Sequence, residues 1–176
     1  MKDDMTLEFS RPVAVEEMEP GDEIGRSLEA DEAERAALAD RMELIALESL
    51  SVEATVRRLS GGPLYRVRGQ LLADVVQSCV VTLDPVPGRV EAEFDELYAA
   101  EGYEPPEEEE GAELPEFFDG HAIDLGELAA QILLLSLDPY PRAPGAELAL
   151  KNVSKEDVSD RRRPFEGLAE MLKGRK

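Results

Sequence analysis

An α+β fold is what this 176-residue chain predicts, and three observations carry the prediction. Residues 123–142, IDLGELAAQILLLSLDPYPR, read as one buried helix that ends at Asp138-Pro139-Tyr140-Pro141. From Glu43 onward the pattern turns to alternation, interrupted by two reversal signals, and this reads as a meander of three antiparallel strands. An alanine-rich run preceded by Asp31 and Glu34 adds a shorter helix near the N-terminus. The expected architecture is a strongly bent antiparallel sheet, open or barrel-like, with the central helix packed across it and the short helix at one side.

In chain order, Leu7, Phe9, Val13 and Val15 alternate with polar residues as a strand, which Pro12 confines to an edge or ends. Asp31 and Glu34 have capping-box spacing before the run to Arg41, a helix of about three turns with a thin apolar face. Val52, Ala54 and Val56 alternate with Glu53, Thr55 and Arg57, and Gly61-Gly62 supplies the positive φ that a hairpin needs. The return run, with Tyr65, Val67, Leu71, Ala73 and Val75 on one side, continues to about Leu83. That is long for one strand, so a bulge or sharp bend is expected near Gly69. Asp84-Pro85-Val86-Pro87-Gly88 reads as the second reversal, with Val90, Ala92 and Phe94 beginning the third strand.

Residues 99–116 lose any apolar period, and the run Glu107–Glu110 after Pro105-Pro106 reads as a mobile acidic loop. Phe117 and Phe118 return the chain to the core. In the central helix Asp124 is the N-cap, Glu127 completes a second capping box, and Ile123 staples onto Leu128. Leu125, Leu128, Ile132 and Leu135 form a stripe that Leu133, Leu134 and Leu137 widen, so the helix is expected to be buried against the sheet. Pro139 and Pro141 end it, and it is too short to span a bilayer. The expected organisation is one domain over residues 1–150, followed by a basic tail, 151–176, with a short amphipathic helix.

Charge narrows the function classes. The formal net charge is −21, which repels nucleic acid at long range and attracts basic partners, solubility being the plain alternative. Residues 91–119 hold thirteen acids and no base, whereas the tail from Lys151 has eight bases and five acids. The single cysteine, Cys79, excludes an intramolecular disulfide and, with no signal sequence visible, suggests the cytoplasm. One cysteine and one histidine, His121, are too few for a zinc site, and Cys79 reads as a buried strand residue. No phosphate loop or nucleophile elbow occurs, so neither catalysis nor a cofactor is expected.

The tail offers Arg161, Arg162 and Arg163 before Pro164, Phe165 and Leu168, which could grip phosphate, dock on a protein, or pair with the chain's own acids. Arg66 and Arg68 share parity on one strand, and Arg57, with Arg58 beside it, lies on the facing one. An RNA-facing patch is thus geometrically available, against the alternative of an ordinary solvent face.

The runs VVQSCVVTLDPVPGRVEAEFDELYA, IDLGELAAQILLLSLDPYPR and RRRPFEGLAEMLK, in that order, resemble the bacterial YceD family, described as large ribosomal RNA subunit accumulation proteins. The likeness is strongest to its alphaproteobacterial branch, with the EFSRPV-type opening and the VTLDPV-type turn, and it spans residues 7–173. The resemblance implies a cytoplasmic, non-enzymatic factor needed for normal levels of large-subunit ribosomal RNA. Many members carry Cys-x-x-Cys where this chain has Cys79-Val80-Val81-Thr82, and a His and a Cys near Pro141–Gly145. With one of those four positions kept, no metal site carries over. The expected action is that of a protein-binding module on ribosome assembly intermediates or a basic ribosomal protein, with residues 91–116 as its electrostatic face. The alternative is direct ribosomal RNA binding through the tail and the arginine-bearing sheet face.

Overall fold

The structure, a computed structural model, describes residues 7–103 and 114–146. Its main feature is a five-stranded sheet. β2 (Glu23–Glu29), β3 (Ala46–Arg58), β4 (Leu64–Ser78) and β5 (Pro85–Ala100) pair antiparallel in sequence order, and β6 (Glu116–Phe118) joins β5 in parallel. β1 (Pro12–Ala14) and β7 (Ala122–Asp124) form a separate antiparallel pair. α1 (Glu32–Arg41) packs on β3, and α2 (Leu125–Ser136) packs on β4, β5 and β1.

The expected α+β class and the three-strand meander hold, but the sheet is mixed and does not close into a barrel. β2 and β6 stand at opposite edges with three strands between them, so no ladder joins the ends. The N-terminal strand is shorter than the alternation suggests and starts at Pro12, opposite Asp124. Phe9, Val13 and Val15 are buried as expected, while Leu7 is exposed.

The inner face carries the core. Across the four long strands the ladder aligns Leu28, Val52, Leu71 and Ala92 in one row and Ile24, Val56, Val67 and Glu96 in another. Val52, Val56, Val67 and Leu71 are fully buried, as period-two alternation requires of a sheet covered on one side. Between these rows lie Ala54, Gly69 and Phe94. The register runs unbroken through Gly69, and the irregularity falls between Leu47 and Ser49 instead of at the glycine. A Cβ on Gly69 would sit 2.5 Å from Phe94 Cζ and 2.4 Å from the Glu53 carbonyl oxygen, so the glycine admits a ring in place of a bulge.

β4 ends at Ser78, not near Leu83, and the reversal occupies residues 79–84. Pro85 and Pro87 are inside β5, opposite Ser78 and Val76. They are tolerated because β6 meets β5 only at its far end, which leaves the proline stretch at an edge. At that far end β5 continues through Ala99 and Ala100, both buried, so strand replaces the first residues of the expected loop; 104–113 lie outside the described residues. Phe118 returns to the core, edge-on to Tyr65 and Tyr98, while Phe117 is exposed.

Both helix starts are as the sequence suggests, with one change. Asp31 accepts from the Glu34 amide and Glu34 from the Asp31 amide, each at 2.9 Å, a complete capping box. Asp124 accepts from the amides of Gly126 and Glu127, but the Glu127 carboxylate turns to Arg41, at 2.8 Å from each of two guanidinium nitrogens. Only half of the second box forms, whereas Glu34 completes the first while also holding Arg11 at 2.7 and 2.9 Å. The buried side of α2 is Leu125, Gly126, Leu128, Ala129, Ala130 and Leu133, whereas Leu134 and Leu135 are exposed. The small residues draw the helix in: a Cβ on Gly126 would lie 2.5 Å from the Phe9 carbonyl oxygen. No described helix is long and apolar enough to cross a membrane.

Candidate contact surface on the outer sheet face

Strand alternation that buries one face of the sheet turns the other to solvent, with no described helix packed on it. The ladder sets its side chains in rows. Glu23, Arg57, Arg66 and Leu97 make the first, and Gly25, Thr55, Arg68 and Asp95 the second. Ser27, Glu53, Gln70 and Glu93 follow, then Glu29, Ser51, Leu72 and Glu91, then Ser49, Asp74 and Arg89.

The three arginines singled out from sequence therefore do share a face. Each faces a carboxylate: Arg57 Nη1 is 3.5 Å from Glu23, and Asp95 bridges Arg66 Nε at 3.3 Å and Arg68 Nε at 2.9 Å. Arg58 does not join them; it lies over the Tyr65 ring and donates to the Met18 carbonyl on the inner side, as its opposite parity demands. Over the five rows, four arginines meet seven acids, and the band of Glu29, Glu53, Glu91 and Glu93 contains no base. Three of the arginines thus stand at one end of the face, the fourth, Arg89, stands at the other, 3.0 Å from Glu91, and carboxylates lie along the middle. A shallow trough crosses β2 to β5 between these rows, its charged lining being Glu53, Glu93 and Asp95 with Arg26 and Arg68.

A second feature is the turn after β4. Cys79 is fully buried and begins this turn; it is not a strand residue. Its Sγ accepts from the amides of Ala143 at 3.3 Å, Thr82 at 3.4 Å and Val81 at 3.5 Å. The amide of Ala143, then the Thr82 side chain, then the nearer amides pull the thiol down to about 6 against the opposing effect of burial. Leu83 closes the turn with φ of 65° and donates to the Cys79 carbonyl. Val80 donates to the Pro141 carbonyl at 2.9 Å and Gln77 to that of Asp138, so the turn and the chain beyond α2 are stitched together. The Cys79–Thr82 turn and the stretch near Ala143, which the family resemblance pairs, are therefore neighbours. Nothing in the spacing of a single cysteine could have shown that.

His121 pairs with Glu16 on the surface, a contact that raises its pKa, while Cys79 bonds to amides; the two are not partners. Among the described residues no group of three or more His, Cys, Asp or Glu could hold a metal ion. Arg161, Arg162, Arg163, Pro164, Phe165 and Leu168 lie outside the described residues.

A protein-family model described as "Large ribosomal RNA subunit accumulation protein YceD" matches residues 67–172, more than half of the chain. The chain belongs to the YceD family. Within this YceD member the match takes in nearly all of β4 and then β5, β6, β7 and α2, while β1, β2, α1 and β3 precede it. No curated protein and no solved structure matches the chain. Membership ties this protein to the accumulation of large-subunit ribosomal RNA.

Proposed function

We propose that this YceD member supports large-subunit ribosomal RNA accumulation as a non-enzymatic, cytoplasmic protein-binding module acting on ribosome assembly intermediates or a basic ribosomal protein. One observation supports this over direct RNA binding by the sheet. The arginines of the open face are matched by carboxylates and outnumbered by them, seven to four, within a chain of formal charge −21. Such a face attracts a cationic partner and repels a polyanion. Large-subunit ribosomal RNA would then accumulate because a protein that it needs is delivered or kept soluble.

The test is capture of tagged protein from lysate at low and moderate salt, with and without ribonuclease, beside a variant carrying Glu53→Gln, Glu91→Gln and Glu93→Gln. The reading requires a large-subunit ribosomal protein or assembly factor that survives ribonuclease and is lost with the variant. Recovery that vanishes with ribonuclease and ignores the three substitutions would make RNA the ligand.

A further inference from the structure

One side of β5 is an open edge. β6 pairs with β5 only at Tyr98–Ala100, and among the described residues no strand lies beside Arg89–Leu97 on the side away from β4. The ladder fixes which way the main-chain groups point. Ala100 donates to the Pro63 carbonyl at 2.9 Å, the Asp84 carbonyl accepts from the Cys79 amide at 2.8 Å, and the β4–β5 register between these two points has no break. In an antiparallel pair the N–H and C=O of one residue point to one side and those of the next residue to the other, so even-numbered residues of β5 bond to β4 and odd-numbered ones turn away. Pro85 and Pro87 are odd-numbered, so the amide hydrogens they lack are ones the β4 ladder does not use. Arg89, Glu91, Glu93, Asp95 and Leu97 then hold five donors and five acceptors outward over about 30 Å, and their side chains are the outer-face set.

We propose that this edge takes up an extended segment of a partner protein as an added strand, one in which basic residues alternate with apolar ones. This rests on the protein-binding reading above and adds the edge and the chemistry of its occupant. Main-chain bonds supply affinity whatever the sequence, so the side chains of β5 must supply the choice. On the outer face every second residue of the added strand would lie beside Glu91, Glu93 and Asp95. Glu91 holds Arg89 at 3.0 Å and Asp95 holds Arg68 at 2.9 Å, exposed pairs that hold little energy, and Glu93 stands opposite Gln70. Opposite charges side by side stabilise a sheet and like charges weaken it. The intervening residues would fall on the inner face beside Val90, Ala92 and Phe94, the side on which α2 packs, where apolar side chains belong. A second copy fits badly: antiparallel pairing of two such edges centred on Glu93 sets Glu93 against Glu93 and Glu91 against Asp95. An RNA strand would run its phosphates along the same acids.

The experiment titrates the full, isotope-labelled chain at low salt with three probes: a short peptide alternating lysine with valine, a peptide of the same composition with its lysines and valines in separate blocks, and a single-stranded oligoribonucleotide. The alternating peptide should bind tightest. It should slow hydrogen exchange at the amides of Glu91, Glu93 and Asp95 about tenfold once nine-tenths of the chain is bound, and leave those of Ala92 and Phe94, already in the β4 ladder, nearly unchanged. Glu93→Gln keeps the amide and should weaken binding about twofold to fivefold, the worth of one cross-strand charge pair. Glu93→Pro, at the parity of Pro85 and Pro87, removes an outward donor while sparing the bonds to β4, and should weaken binding beyond Glu93→Gln. Should that variant fail to fold, the exchange pattern of the parent decides. Equal binding of both peptides with no slowing at these three amides overturns strand addition and spares the protein-binding reading. Saturable binding of the oligoribonucleotide that displaces the alternating peptide overturns both, and no binding by either peptide overturns the edge as the docking place.

Discussion

The ring of Phe94 lies over Gly69, the residue directly opposite it in the β4–β5 ladder. A methyl group at that glycine would meet the ring at 2.5 Å and the backbone oxygen of Glu53 at 2.4 Å, and a carbonyl inside a ladder cannot swing away. Gly69→Ala should therefore destabilise the protein by about 1–3 kcal/mol, the usual cost of overpacking. Gly25→Ala, at a solvent-facing position with nothing within 4 Å, should stay within roughly 0.5 kcal/mol of the parent. Urea unfolding midpoints of the two variants compare them directly.

Asp124 joins three pieces of chain. Its carboxylate caps α2 through Gly126 and Glu127 and also accepts from the Arg11 amide at 2.8 Å and the Ser10 hydroxyl at 2.5 Å. Asp124→Ala should cost about 2 kcal/mol, the upper end for a lost N-cap, because the N-terminal segment loses its anchor as well. Asp124→Asn keeps an acceptor and should cost less than half as much in the same unfolding experiment. Equal losses would show that charge, not capping, holds the joint.

These two sites also show what the sequence could and could not reveal. Asp124 was legible because capping is local: the acceptor and the amides it serves lie within three residues. The alternating faces of β3 and β4 were legible for the same reason, and so was the shared parity of Arg57, Arg66 and Arg68. Gly69 was legible only as an anomaly in a long strand. Whether it made a bulge or received a ring depended on Phe94, twenty-five residues on, and no local pattern encodes that register. β2 escaped notice because Ile24 and Leu28 are its only large apolar residues and an edge strand needs no more. Leu135 was misplaced by its helical spacing from Leu128 and Ile132, and Leu134 by its hydrophobicity, while the side of α2 that is buried carries the small residues Gly126, Ala129 and Ala130 beside Leu125, Leu128 and Leu133. The acids facing the arginines could be counted in sequence, but pairing them required the ladder.

Arg41, at the end of α1, holds Glu127 with two hydrogen bonds at 2.8 Å and Glu8 with one at 3.1 Å. The Arg41 hydrogen bond is the main cause of a Glu127 pKa below the ordinary carboxylate value, with Gln131 assisting. A carboxylate depressed in the folded state adds stability above its unfolded pKa and loses it as pH falls through the folded one. Arg41→Met should thus remove about 1 kcal/mol at neutral pH, since the pair is partly solvent-screened, and progressively less as the solution is made acidic. Unfolding midpoints against pH should converge for parent and variant at low pH. A constant offset would mean that lost packing, not the ion pair, is responsible.

Cys79 offers the reverse test, on the alkaline side. With its thiol pulled down to about 6 by the Ala143 amide, the Thr82 side chain and the amides of Thr82 and Val81, the folded protein is expected to hold a thiolate at neutral pH. The unfolded chain titrates near the ordinary thiol value, roughly 8.5. The folded pKa is the lower one, so the thiolate adds stability that is fully present above the unfolded value and is lost as pH falls through about 6. The parent should therefore gain stability relative to Cys79→Ala as pH rises between those two values, and the gap should level off above them. Ultraviolet absorbance of the thiolate should titrate with a midpoint near 6 in the folded protein. Alkylation should stay slow over the same range, because Sγ is shielded from solvent and the turn must open before a reagent reaches it. A midpoint in the ordinary thiol range, with a stability gap independent of pH, would mean that the three amides position a neutral thiol and that the turn owes its shape to packing alone.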